Sequence, residues 1–193
     1  MADQNLLQRI DRIESYIQIQ QLPSRYAVAV DSRDIDTWVN LFVEDVRVTK
    51  ETSGRDALRA MIDNHTRTFY RSHHQICGHV IDFIDADNAT GKVYCRAEHE
   101  DRGRWIVMII CYFDRYERRD GVWYFRKRDE QHWYSTDILE RPSGPDFQQW
   151  PGRWKNNPVN LPGRFPTWGE FWSKSDPALI DELTKLPVGT PSK

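Results

Sequence analysis

Carboxylate and imidazole groups lie at the ends of several apolar segments of this sequence. Asp31 follows the apolar run of SRYAVAVDSRD at 24–34, where it could simply end a helix or could take part in catalysis. His73 and His74 stand directly before a segment rich in β-branched residues. A neutral imidazole near physiological pH can remove a proton, and a carboxylate can orient the ring by accepting its other N–H. The positions of these residues in the fold therefore decide whether they form a site.

Three polar residues alternate along the last strand-like segment of the sequence. Arg128, Glu130 and His132 are two residues apart, so on a β-strand they face the same side of the sheet. Arg128 could hold a developing negative charge or pair with Asp31, and it could equally be part of an exposed run, RKR. We expect this strand face to border a site if the sheet encloses one.

Composition excludes several classes of protein. The 193 residues carry a net charge of −2 and 39% hydrophobic residues, which predicts a globular protein without a concentrated basic surface for nucleic acid. No apolar run approaches transmembrane length, and the N-terminus does not resemble a signal peptide. We therefore expect a cytoplasmic protein with neither nucleic-acid nor membrane partners.

Cysteine and histidine spacing does not indicate a metal site. Cys77, Cys95 and Cys111 lie in apolar or strand-like contexts without CxxC or Cys/His spacing, which favours buried, reduced thiols. His79 and His99 each fall within a strand-like segment and are interpreted as structural. We predict no metal and no other cofactor.

The first third of the chain shows helical patterns that position Asp31. Apolar residues recur at three- and four-residue steps from Leu6 to Ile17. Pro23 should kink or restart this helix, and Ser24 can then cap a second short segment. Asp34 resembles the N-cap of a helix at 35–42, a strand is expected at 44–49, and a third helix follows within 53–70.

The region from His74 onward favours a β-sheet. Four segments rich in β-branched and aromatic residues alternate with the turn sequences DADNATG, EDRGR and RRDG. Helices followed by strands indicate an α+β fold with an antiparallel sheet. Residues 105–113 are apolar at both odd and even positions, so both faces of that strand should be covered. Helices can cover one face, and a second subunit in a dimer or trimer is the simplest cover for the other.

The sequence beyond the strands has a different character. It is rich in Pro, Gly and Trp and has no helical or strand period. Its tryptophans would be costly to leave in water. We therefore divide the chain into a cavity domain at 1–135 and a C-terminal arm at 136–193, which we expect to pack on its own domain or on a neighbouring subunit.

The motifs as a set resemble the SnoaL-like branch of the nuclear transport factor 2-like fold. RYAVAVDSRDIDTWVNLFVEDV followed by GRDALRAMI is similar to the order of opening helices in that family. YFDRYERRDGVWYFRKRD at 112–129 is similar to its aromatic strand, Asp-Gly turn and second strand. The resemblance covers residues 8–135. It implies a cystatin-like α+β barrel in which a curved antiparallel sheet packs on the N-terminal helices to form a conical cavity.

The closest catalytic pattern is that of the scytalone dehydratase, lindane dehydrochlorinase and bile-acid 7α-dehydratase group. The resemblance implies that His74 is the base, with His73 as the competing candidate, and that Asp31 orients it. Tyr26 and Arg128 match further catalytic positions, and a core aromatic residue is the alternative interpretation of Tyr26. Tyr26 and Asp31 lie about 140° apart on a regular helix, so a shared pocket must be wide or the helix must end near Asp31.

The resemblance also suggests residues that bind substrate. We expect Glu130, His132, Trp105 and Trp38 to contact it. Arg128 matches a cavity arginine of the dehydrochlorinase. The bile-acid enzyme has its comparable arginine at the position of His132.

The function that this resemblance implies is a cofactor-independent lyase or isomerase, of dehydratase type. Its substrate would be a hydrophobic cyclic molecule, steroid-like or aromatic. Two alternatives of other classes stay open, because this fold also serves non-catalytic proteins. One is the small subunit of a ring-hydroxylating dioxygenase, and the other is a small-molecule binding protein.

Overall fold

Helices and one sheet make up the fold in this computed structural model, which describes residues 2–142, 150, 159 and 161–184. Three helices come first: α1 (Ala2–Ser32), α2 (Ile35–Asn40) and α3 (Arg55–Thr66). The strands follow as β1 (Ser72–Phe83), β2 (Asn88–Asp101), β3 (Arg104–Arg119) and β4 (Val122–Asp137). Two short helices, α4 (Pro166–Trp172) and α5 (Pro177–Thr184), lie beyond the sheet. This order confirms the predicted α+β class.

The sheet is a curved, unclosed antiparallel meander in the order β1-β2-β3-β4. Its tight turns fall where the sequence predicts them. Asp120 and Gly121 connect β3 to β4 with φ values of 50° and 79°. Both positions require left-handed backbone, which Asp and Gly tolerate better than most residues. This turn sets the register from Arg119 to Tyr116, and a one-residue shift between Tyr116 and Arg115 then brings the Arg128 backbone opposite Asp114.

The core lies between the inner face of the sheet and the helices. One cluster joins α1 and α2 to the end of the sheet near the β3–β4 turn and includes Tyr26, Trp38, Phe42 and Phe125. A second cluster lines the middle of the sheet, with Ile106, Met108, Ile110 and Tyr112 of β3 all at most 2% exposed. These two clusters fix the walls between which the polar residues of the inner face lie.

Two local predictions about the first third of the chain are wrong. Helix α1 continues through Pro23 to Ser32, so Ser24 caps no new segment. Burial of Ile19, Leu22 and Pro23 itself compensates for the hydrogen bond that a proline removes. The expected strand at 44–49 forms only an isolated bridge between Arg47 and Ser53. Asp34 does cap α2, since its Oδ1 accepts from Thr37 N at 3.0 Å.

Strand β3 is covered on both faces, as its sequence predicts. Val107 and Cys111 point away from the inner cluster and are 4% and 0% exposed. Because this burial occurs within one chain, the strand pattern by itself does not require a second subunit, and the oligomer stays a prediction.

The outer face of the sheet also carries part of the C-terminal region. The Phe165 ring packs on Phe113 and Trp133 at centroid distances of 5.8 and 6.2 Å. Much of the proposed arm, at 143–149, 151–158, 160 and 185–193, lies outside the described residues.

Two further surface features emerge from the structure. The apolar stripe of α1 is exposed at Leu6, Ile10, Ile13 and Ile17. Cys77 is also exposed, contrary to the expectation of buried thiols, because it lies at the bulge of β1 between Ile76 and Gly78. Among the described helices none has the length and apolar character needed to span a membrane.

Candidate active site

Asp31 and His74 form the centre of the site. His74 Nδ1 lies 2.7 Å from Asp31 Oδ1, and the His74 backbone N–H donates to Asp31 Oδ2 at 2.7 Å. The Asp31 side chain is 22% exposed and the His74 side chain is 7% exposed. An Nδ1–H donated to the carboxylate leaves the lone pair of the ring on Nε2. The pair therefore has the geometry of a base and its orienting carboxylate.

The end of α1 is attached to the start of β1 by side-chain hydrogen bonds. Ser72 Oγ donates to Asp31 Oδ1 at 2.8 Å, and Arg33 Nη1 donates in turn to Ser72 Oγ at 2.9 Å. Arg33 also donates to the carbonyls of Val30 and Tyr70, at 2.7 and 2.9 Å. A left-handed Arg33, with φ of 63°, ends the helix after Ser32, one residue beyond Asp31. These contacts hold the carboxylate in place before any substrate binds.

Asp31 is stabilised in its ionised form. Burial by itself would raise the pKa of Asp31, but the hydrogen bonds from His74 and Ser72 outweigh burial and lower that pKa below its ordinary value. An aspartate held as an anion stabilises the imidazolium that forms when its histidine takes up a proton.

The structure distinguishes the two adjacent histidines. His73 and His74 lie on β1 and point to opposite faces. His73 is exposed beside Glu98, whereas His74 faces inward and lines a cavity. The neighbour that contacts Asp31 is therefore His74.

Tyr26 and Arg128 lie next to this pair in a layer of aromatic rings. The Tyr26 ring stands edge-on to His74 at 6.4 Å and lines the same cavity as His74, whereas Asp31, five residues further along α1, contacts the imidazole at Nδ1 without lining that cavity. Arg128 Cζ lies 4.4 Å from the Tyr26 ring centroid and 4.0 Å from that of Tyr112. Burial raises the pKa of Tyr26, which keeps its hydroxyl protonated as a donor.

Arg128 does not pair with Asp31. Its Nε and Nη2 donate to the two carboxylate oxygens of Asp114 at 2.9 and 2.7 Å. Both side chains are buried, at 5% and 0% exposure. Tyr116 Oη also donates to Asp114 and lies 2.9 Å from His79 Nε2, which places His79 in a structural network, as predicted. In the described part of the chain, Arg128 Nη1 is buried without a hydrogen-bond partner.

Glu130 and His132 form a second acid–imidazole pair. His132 Nε2 lies 2.6 Å from Glu130 Oε1, and Glu130 lines the same cavity as His74. Burial would raise the pKa of Glu130, but the hydrogen bond from His132 and the nearby imidazoles of His65 and His74 lower it to about 2. Glu130 is therefore a carboxylate at neutral pH, with 35% of its side chain accessible.

The two predicted tryptophan contacts lie elsewhere. Trp38 is 3% exposed and packs behind the Tyr26 ring at 5.4 Å, so it supports the cavity wall. Trp105 lies at the start of β3, where its indole N–H donates to Glu98 on the face opposite His74. The structure does not bring either indole to the surface of this cavity.

Several cavity residues were not anticipated from the sequence. His99 stands edge-on to His74 at 5.4 Å, and His65 lies near Glu130. Phe69 and Trp150 complete this side of the cavity. The sequence could have indicated His99, because along β2 it is one of the alternate residues that face the same side of the sheet as His74. No pattern in the sequence indicates that Trp150 lines the cavity. The described residues contain no cluster of three or more His, Cys, Asp or Glu arranged to hold a metal ion.

The sequence and the structure are both similar to those of known dehydrochlorinases. The gamma-hexachlorocyclohexane dehydrochlorinase of Sphingobium indicum is 29% identical over 137 residues, which cover 67% of this chain and 87% of that protein. The crystal structure of LinA matches with a TM-score of 0.63 and 26% identity, over 71% of this chain and 98% of that one. A putative scytalone dehydratase from Novosphingobium aromaticivorans shares the fold, with a TM-score of 0.58, 24% identity, and coverage of 73% and 94%.

These relatives agree with the fold and with the class of enzyme. The curated proteins are dehydrochlorinases, which are lyases, and they support a dehydratase-type enzyme for this chain. The nuclear transport factor 2-like fold is shared throughout. A model of the SnoaL-like domain matches residues 11–129, well over half of the sequence, and the chain therefore belongs to the SnoaL-like domain family.

Proposed function

We propose that this protein is a lyase that eliminates water or a similar leaving group from a hydrophobic cyclic molecule, with His74 as the general base. The hydrogen bond between His74 Nδ1 and Asp31 Oδ1, at 2.7 Å beside a cavity, carries this proposal. It leaves Nε2 as the basic nitrogen of a ring that cannot rotate freely.

The proposed reaction begins with proton removal. His74 Nε2 takes a proton from a carbon next to a carbonyl, and the C–H electron pair moves toward the carbonyl oxygen as an enolate. The returning electrons form a carbon–carbon double bond and expel hydroxide from the next carbon. The proton on His74 then converts this hydroxide into water, so the enzyme returns to its starting state without a cofactor.

The neighbouring polar groups have separate proposed roles. The Tyr26 hydroxyl, held protonated by burial, donates to the substrate oxygen on which negative charge develops. Arg128 acts through Tyr26, since its guanidinium packs on that ring and its position is held by Asp114. The Glu130 carboxylate, held by His132, accepts a hydrogen bond from a substrate hydroxyl on the opposite side of the cavity.

The lining of the cavity supports the proposed substrate class. Val30, Ile62, Met108 and Ile110 supply apolar contacts, while His74 and Glu130 supply polar ones. This mixture suits a carbon ring that carries a few oxygen substituents. The dehydrochlorinase relatives support elimination from a six-membered ring as the parent chemistry.

Two probes test this proposal. Purified protein is incubated with 3-hydroxycyclohexanone, followed by absorbance of the enone product, and with γ-hexachlorocyclohexane, followed by chloride release. We expect conversion of at least one probe. His74→Ala should abolish it, and His73→Ala, which removes the adjacent outward-facing ring, should not. Equal activity in the His74→Ala variant would overturn the assignment. Binding of both probes without conversion would favour a small-molecule binding protein instead.

A further inference from the structure

The cavity beside His74 is too small for a ring while all of its lining side chains stay in place. Its volume is about 30 Å³. A protein cavity that holds benzene measures roughly 150 Å³, and a single water needs roughly 10–15 Å³. A lyase acting on a cyclic substrate therefore requires some lining group to leave the cavity when substrate enters.

Two lining residues lie outside the helices and the sheet, Phe69 in the short connection between α3 and β1 and Trp150 beyond the end of β4. Trp150 is 4% exposed. Its indole is tilted over the His99 ring at 4.8 Å and over the Phe69 ring at 6.2 Å. Its Nε1–H donates to Asp101 Oδ2 at 2.6 Å. Phe69 is held in the short connection between α3 and β1, and the remaining lining residues belong to helices or strands of the core, where displacement would disrupt packing.

We propose that Phe69, His99 and Asp101 form a binding subsite for a planar aromatic ring that carries an N–H or O–H donor, and that Trp150 is the internal occupant that substrate displaces. This inference rests on the proposed function and names the part of the substrate that lies next to the reacting carbon. The Trp150 indole itself shows the shape and the donor that the subsite accepts.

The chemistry of the three side chains explains this preference. Phe69 and His99 stand perpendicular to each other, at 4.6 Å and 77°, and form an aromatic corner. Asp101 provides the hydrogen-bond acceptor and is itself held by Arg102 Nη1 at 2.6 Å. A hydrogen bond to a charged acceptor is stronger than one between neutral groups. The subsite should therefore distinguish an aromatic N–H or O–H from its methylated analogue.

The position of the subsite connects it with the base. His99 packs edge-on against His74 at 5.4 Å, so a ring stacked on His99 lies beside the imidazole that removes the proton. A substrate anchored there through its aromatic part would present a neighbouring saturated carbon to His74.

Free indole tests the subsite without any knowledge of the substrate. Trp150→Ala is titrated with indole and with 1-methylindole, by calorimetry and by thermal unfolding. We expect saturable indole binding that raises Tm, with at least tenfold weaker binding of 1-methylindole. Trp150→Ala/Asp101→Ala should lose that preference. Trp168→Ala serves as the control, because Trp168 lies on the outer face of the sheet beside Trp133, in a cavity of about 680 Å³ with aromatic walls, and any binding there should not distinguish indole from 1-methylindole.

The test also covers a Trp150→Ala variant that is unfolded without ligand. If Trp150→Ala does not fold alone, indole but not 1-methylindole should restore its folded near-UV circular dichroism. A variant that indole neither binds nor refolds overturns the subsite, as does equal affinity for the two ligands. Indole binding needs no proton transfer. If Trp150→Ala binds indole while the wild-type protein converts neither probe, the subsite is supported and the proposed lyase activity is rejected.

Discussion

The Asp31 carboxylate receives two hydrogen bonds from His74, one from the ring at Nδ1 and one from the backbone N–H, each at 2.7 Å. This double contact fixes the direction of the imidazole as well as its tautomer, because ring and backbone are held by the same carboxylate. A base held in this way does not need to reorient before it reacts.

Asp31→Asn should reduce kcat by a factor on the order of 10³ to 10⁴, because the amide cannot stabilise the imidazolium and favours the wrong tautomer. Steady-state kinetics on whichever probe is converted checks this. Asp34→Asn is the matched control, since Asn also caps helices and Asp34 lies outside the cavity. An Asp31→Asn enzyme within threefold of wild type would contradict the role.

The sequence predicted the sheet well and the cavity less completely. Dense β-branched and aromatic residues and Asp-Gly at 120–121 are local signals, and the strands form as expected. The pairing of Asp31 with His74 came from a resemblance and could not be derived from spacing alone. Trp150 reaches the cavity from far along the chain, and no local pattern reports such a contact. The restart of the helix at Ser24 was wrongly predicted, because tertiary burial of Pro23 overrides a local helix-breaking signal.

The buried pair of Arg128 and Asp114 should matter more for stability than an ion pair at the surface. Arg128→Met leaves the Asp114 carboxylate buried without its cation, which should cost ~3–5 kcal/mol in the free energy of unfolding measured in urea. Arg67→Met is the control, because Arg67 makes the same two-bond contact with Asp63 at the surface. That change should cost less than ~1 kcal/mol. Similar losses for the two variants would show that burial of the pair has no special effect.

His79 should make stability fall between pH 6.5 and 4. Burial lowers the pKa of His79 from 6.5 to about 4, although Asp114 opposes the shift. The unfolded chain therefore takes up a proton in this interval while the folded chain does not, and stability present above pH 6.5 is lost as the pH falls toward 4. Urea unfolding across this range should show a shallower decline for His79→Gln. The exposed His73→Gln should follow wild type, and a decline unchanged in His79→Gln would refute the assignment.

Gly91 should tolerate no side chain. A Cβ at this position would lie 2.9 Å from His79 Nε2, from a carbon of the Tyr116 ring and from the backbone oxygen of Val80. We expect Gly91→Ala to lower the free energy of unfolding by ~1–3 kcal/mol through overpacking. Gly78→Ala on the adjacent strand meets no atom within 4 Å and should have little effect. Comparable thermal stability of the two variants would argue against the close packing around His79.

Hydrogen exchange on a carbon acid tests whether His74 removes a proton, because it isolates proton removal from loss of a leaving group. The probe is 2-tetralone in D₂O, which has an acidic C–H beside its carbonyl and no leaving group, and deuterium incorporation is followed by NMR. Wild type and His73→Ala should accelerate exchange above the buffer rate, and His74→Ala should not. Exchange by His74→Ala at the wild-type rate would show that another group removes the proton.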